Sequence, residues 1–148
     1  MIRSFDSLML RTLLAPLLAA LQLFAVYVLL HGHYSPGGGF VAGVLFAASM
    51  ILPRLTLGHP TGRLALTPQR AAIMAVSGIL LFSAVGIVPM LLGQPMLDYA
   101  ALPLASTAPY RRSMAILLIE IGVTLAVAGS MLSIFYALSE PVGGEDPT

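Results

Sequence analysis

The sequence predicts an all-α integral membrane protein with four transmembrane helices, the second one short and preceded by a Pro-Gly-Gly-Gly break. Three observations carry this. Hydrophobic residues make up 58% of the 148 positions and charged residues only 9%, whereas ordinary globular domains carry about 25% charged residues. The apolar residues fall into long runs of membrane length. The runs are separated by short stretches that hold almost all the Arg, Pro and loop Gly.

The first span is 12–30. Its 19 residues include only Thr12, Gln22 and Tyr27 as polar groups, and at ~1.5 Å per residue they match the hydrocarbon thickness. Arg3 and Arg11 precede it in the manner of a signal peptide. The run is longer than a signal core and no small-x-small site follows, so it is expected to stay as a membrane helix.

Next comes His31-Gly32-His33-Tyr34-Ser35-Pro36-Gly37-Gly38-Gly39. Ser35 and Pro36 form a helix-start pair, cap then first-turn proline, so the second span is placed at 36–57. Its unbroken apolar part ends at Pro53 and Arg54 and is short. A re-entrant or broken helix is the alternative to a full crossing. Gly39, Gly43 and Ala47 repeat every four residues, a small-xxx-small face for close helix packing. Three successive glycines cost conformational entropy. Either the backbone bends there or another polypeptide approaches closely, and close approach is favoured.

A polar loop with His59 and Arg63 leads to Thr67-Pro68, a second cap-plus-proline start. The third span, 69–92, has no charge beyond Arg70. A half-apolar loop through Asp98 follows and is expected at the interface or packed between helices. The fourth span is 113–138, stopped by Ser139-Glu140-Pro141, and 139–148 is a short acidic tail. The five tyrosines lie near span ends or in loops, as an aromatic belt requires. Arginine counting places Arg3, Arg11, Arg54, Arg63 and Arg70 on one side against Arg111 and Arg112 on the other. Both termini are therefore expected in the cytoplasm.

Glu120 is the most informative residue. An acid so deep in an apolar run must face protein or water. It is a candidate ion or proton carrier. The alternative is a neutral, hydrogen-bonded acid that joins helices. Thr124, one turn on, is a candidate donor to it. On a helical wheel Ser113, Glu120, Thr124, Val127 and Met131 share one face, and Ala115, Gly122, Ala126, Gly129 and Ser133 the opposite one. One face needs a polar or protein neighbour and the other wants a tightly packed helix. Covering both suggests contact with other polypeptides.

His31 and His33 are either interfacial histidines that cap the first span or a proton relay. Two ligands at i, i+2 do not make a zinc site, and His59 lies across the membrane on this topology. Neither a metal nor a cofactor is expected. No P-loop, serine elbow or HExxH is present, there is no Cys, and no basic run offers itself to nucleic acid.

The stretch Gly32-His33-Tyr34-Ser35-Pro36-Gly37-Gly38-Gly39-Phe40 resembles the Gly-His-x-x-Pro-Gly-Gly-Gly-Phe signature of the MnhB-type subunit of the Mrp (Mnh) multisubunit cation/proton antiporters. Gly86-Ile87-Val88-Pro89-Met90-Leu91-Leu92-Gly93 and Ile119-Glu120-Ile121-Gly122-Val123 are similar in the same order. The resemblance implies a small, non-enzymatic subunit of a hetero-oligomeric complex in the bacterial inner membrane. That complex exchanges Na⁺ or K⁺ for protons and supports pH homeostasis. It also implies that the subunit is needed for assembly and lines part of an ion route, with Glu120, Thr124, His31 and His33 as path candidates. Pro36, Gly37, Gly38, Gly39, Gly43, Gly122, Ala126 and Gly129 would then serve the motif and the packing. Two alternatives stay open: a purely structural scaffold in the complex, and an independent homo-oligomeric transporter.

Overall fold

The computed structural model describes residues 8–32, 37–57, 66–103 and 107–139. It is all-helical across them, with α1 (Leu8–Leu30), α2 (Gly38–Leu57), α3 (Pro68–Leu91) and α4 (Ala108–Ser139). All four are long and apolar enough to cross a membrane. A 3-10 turn at Tyr99–Ala101 lies in the α3–α4 connection.

α3 starts where the sequence says. Thr67 is extended and its hydroxyl accepts from Arg70 N at 3.3 Å, with Pro68 in the first turn. α4 starts earlier than its apolar run, at Ala108, so Arg111 and Arg112 are helical rather than part of the loop. Pro109 sits in its first turn, where a missing N–H costs nothing. The start signal Ser35-Pro36 and the tail beyond Ser139 lie outside the described residues. α2 itself begins at Gly38.

The lateral order is α1, α2, α4, α3. α4 is central, packed on α3 along one side and α2 along the other, with α1 mainly on α2. Small residues fill these contacts. Of the ten buried apolar residues among those described, six are alanine (25, 42, 47, 71, 115 and 128). Large apolar side chains point outward, for example Leu23 on α1 and Leu80 on α3. That is the arrangement lipid permits, because hydrocarbon outside gives no reason to hide leucine, and close backbone packing supplies the attraction.

Both small-residue faces are occupied within this one polypeptide. A Cβ on Gly78 of α3 would overlap Ala126 N of α4, and one on Gly129 of α4 would lie 2.7 Å from Ala71 O. On the other side, a Cβ on Gly43 of α2 would lie 2.9 Å from Thr124 O. The expectation that covering both faces of α4 calls for other polypeptides is therefore corrected: α2 and α3 cover them. Small-residue spacing reports that a backbone comes close, not which backbone.

Two polar contacts tie the far end of the bundle. The Arg54 guanidinium lies 4.4 Å from the centre of the Tyr136 ring, and its Nη2 donates to Leu66 O at 2.8 Å. Tyr136 Oη donates to the same carbonyl. This clasp joins the end of α2, the approach to α3 and the end of α4.

The α3–α4 connection folds back on its helices. Leu97 N donates to Gly86 O at 3.3 Å, Asp98 caps the 3-10 turn through Ala100 N at 3.1 Å, and Leu102 packs with Val85 and Ala115. Gly86 differs from the packing glycines. A Cβ there would meet Leu97 Cδ2 at 3.4 Å, an ordinary contact. Gly86→Ala is expected to be tolerated or to raise thermal stability by up to ~1 kcal/mol, because glycine lowers helix stability by about that amount. A melting curve in detergent checks this, and a clear drop in the midpoint would contradict it.

Candidate functional site

The two stretches that stand out in the sequence meet in space. The Glu120 side chain from α4 enters the break between α1 and α2 and lies against glycine backbone. A Cβ on Gly32, just past the end of α1, would overlap both Glu120 carboxyl oxygens. A Cβ on Gly38, the first residue of α2, would lie 3.3 Å from Oε1. One on Gly39 would lie 2.9 Å from the backbone carbonyl carbon and Cα of Glu120. Three glycines from one motif therefore make room for one acid.

Local backbone explains why these positions are glycine. Gly37 has φ +130° and Gly38 φ +40°, conformations that an L side chain adopts only at a cost. So the backbone does bend at the triplet. Gly39 then sets the close approach to α4. The bend falls at Gly37 and Gly38, and the expected close approach of another polypeptide is corrected: at Gly39 the neighbour is α4 of the same chain.

Thr124 holds this junction together. Its side chain is 5% exposed, and Oγ1 lies 3.0 Å from Gly39 O and 2.8 Å from Glu120 O. Its one hydrogen is shared between two carbonyls, one on each helix. The expected donation from Thr124 to the Glu120 carboxyl is corrected accordingly: the hydroxyl braces the backbones of α2 and α4.

The carboxyl sits beside the first residue of α2, where N–H groups have no intrahelical partner and the helix dipole favours negative charge. Oε2 is buried, while the residue as a whole is partly exposed. His31 adjoins the same site. Its ring is exposed, stacks on Tyr27 at 4.2 Å, and places Nδ1 3.1 Å from Tyr27 O. A carbonyl only accepts, so Nδ1 carries the hydrogen of that contact. His33 and Pro36 lie outside the described residues. Among the described residues, no group of three His, Cys, Asp or Glu is placed to hold a metal.

Gly122, Ala126 and Gly129 are not at the carboxyl. They face α3, and a Cβ on Gly122 would lie 3.0 Å from Gly78 O. Sequence reasoning missed Gly32 as a wall of the site. The available signal was its place in the motif between two histidines, but its function depends on a residue 88 positions away. Gln22 and Ser49 were also missed as a pair: Gln22 Nε2 donates to Ser49 Oγ at 3.3 Å between α1 and α2.

Comparison with known proteins gives a consistent result. A family described as "Domain related to MnhB subunit of Na+/H+ antiporter" matches residues 9–133. The protein named "Putative antiporter subunit mnhB2" of Staphylococcus saprophyticus is 30% identical over 138 residues, covering 90% of this sequence and 95% of its own length. The protein of the same name from Staphylococcus aureus strain Newman is 30% identical over 135 residues, with the same coverage of both proteins.

Proposed function

The chain belongs to the MnhB family of Na⁺/H⁺ antiporter subunits, and on that premise we propose that its carboxyl at Glu120 handles a proton or monovalent cation within the assembled antiporter. The protein is a multi-pass membrane subunit of a transport complex, and other subunits of that complex are its partners. Na⁺ or K⁺ exchanged for protons are the ions it would serve. The arginine count supports a bacterial inner-membrane orientation with both termini cytoplasmic.

The observation that carries the reading is the meeting of Glu120 with Gly32 and Gly38 at the helix break. A structural acid needs only a donor. Here Gly32 and Gly38 give up their side chains so that the carboxyl fits, and Gly38 adopts left-handed backbone to do so. Helix ends that meet a charged group within the membrane are a recurrent element of ion sites.

The second reading is a scaffold role. It is supported by the shared hydrogen bond of Thr124 to Gly39 O and Glu120 O, which joins α2 to α4 at the same place. Glu120→Gln and Glu120→Ala separate the two. The complex is expected to assemble in both, while Na⁺- or K⁺-dependent proton movement in everted membrane vesicles falls severalfold or more. Full assembly with normal transport in both variants would reject the ion role. Loss of the complex in both would favour the scaffold.

A further inference from the structure

We infer that water reaches Glu120 from one face of the membrane only, the face that carries the α3–α4 connection. The inference deepens the ion-handling reading and rests on it. It follows from depth above the site and packing below it.

Depth comes first. The Arg54–Tyr136 contact marks one edge of the apolar bundle. Gly38 is sixteen residues from Arg54 along α2, and Glu120 is sixteen residues from Tyr136 along α4; at ~1.5 Å per residue both lie ~24 Å from that edge. The hydrocarbon is ~30 Å thick. The two ends of the α1–α2 connection, Gly32 and Gly38, therefore sit about 6 Å inside the opposite edge. α4 continues from Glu120 for another twelve residues to Ala108, roughly 18 Å at the same rise. α3 likewise continues nine residues from Phe82, which packs on Gly122, to Leu91, roughly 14 Å. The described ends of α1 and α2 at Gly32 and Gly38 are sunk relative to the ends of α3 and α4. Backbone that leaves helical form at such a depth is stable only against protein or water. The exposed imidazole of His31, next to Gly32, is a polar group that water serves and acyl chains do not.

Packing toward the Arg54 edge closes the other direction. Immediately past Glu120, α2 and α4 touch backbone to backbone at Gly39 and at Gly43 against Thr124 O. α3 and α4 do the same at Gly78 against Gly122 O and at Gly129 against Ala71 O. Between them Thr124, Ala42, Ala47 and Ala128 are at most 5% exposed, and Ser49 is 2% exposed. Contacts this close leave no room for a file of water. A proton or cation that exchanges with Glu120 enters and leaves through the α3–α4 side, and transfer to the other face requires another subunit.

The sequence has no Cys, so single cysteines in the intact complex test this directly. Gln94→Cys, in the α3–α4 connection, reports which face a charged, membrane-impermeant methanethiosulfonate reaches. Glu120→Cys and His31→Cys are expected to react from that same face only, and Ser49→Cys from neither. His31→Cys keeps the test intact if Glu120→Cys does not assemble. Reaction of either from the opposite face overturns the inference. So does failure of both to react from either face, which would mean that a partner subunit or lipid covers the carboxyl. Labelling measures access and not transport, so a normal transport rate in Glu120→Gln would overturn the ion reading without touching this result.

Discussion

Gly39→Leu is expected to abolish recovery of the folded subunit and, with it, of the assembled complex. The reason lies in what the new side chain would meet. A Cβ at Gly39 alone overlaps Glu120 O and lies 2.9 Å from the carbonyl carbon and Cα of Glu120. These are backbone atoms of a neighbouring helix and cannot rotate away. Overpacking a well-filled contact costs about 1–3 kcal/mol and sometimes more when the surroundings cannot yield. Here the remedy is to push α2 off α4, which also breaks the Thr124 hydrogen bond to Gly39 O and opens the contact at Gly43. Gly39→Ala should give an intermediate loss. Co-elution of the partner subunits after mild detergent extraction is the measurement. Normal recovery of Gly39→Leu would mean that α2 does not lie on α4 at this point. Gly86→Ala is the contrast, since its Cβ finds ordinary space.

How far the sequence alone reaches can be judged residue by residue. Helix number and membrane character are local properties, set by apolar run length, and they were readable. Thr67-Pro68 was readable because cap and first-turn proline act on their own helix. That Glu120 falls inside an apolar helix was readable from the run around it. The start of α4 at Ala108 was not. Arg111 and Arg112 look like loop residues in an apolar scale, yet nothing prevents a helix from carrying charged residues out of the bilayer. The destination of the glycine faces was not readable either. Gly39, Gly43, Gly122 and Gly129 announce close approach, and only tertiary structure reveals that α4 takes α2 on one side and α3 on the other. The same limit hid the wall formed by Gly32. Motif order placed the glycines and the acid in one family pattern, but no periodicity links positions 32 and 120.

Gly32→Ala is expected to lower antiport about tenfold or more while the complex still assembles, and Glu120→Asp placed on top of it is expected to restore part of the loss. The added Cβ would overlap both Glu120 carboxyl oxygens. Unlike the contact at Gly39, this one involves the far end of a flexible side chain. The helices can stay where they are, and the carboxyl must move. Displacement against neighbouring backbone costs about 1–3 kcal/mol, and 1.4 kcal/mol on the transport step is about tenfold in rate. Aspartate is one methylene shorter, which draws the carboxyl back toward α4 by roughly the length that the new methyl requires. On its own Glu120→Asp would leave the glycine cradle underfilled and also slow transport. The double variant should therefore exceed the product of the two single effects, the non-additivity expected of residues in direct contact. Exchange rates in vesicles at equal subunit content decide the matter. Wild-type transport in Gly32→Ala would show that the carboxyl does not work from this cradle. Purely multiplicative loss in the double variant would show that Gly32 and Glu120 act apart, because a steric pair cannot be independent while its atoms occupy the same space.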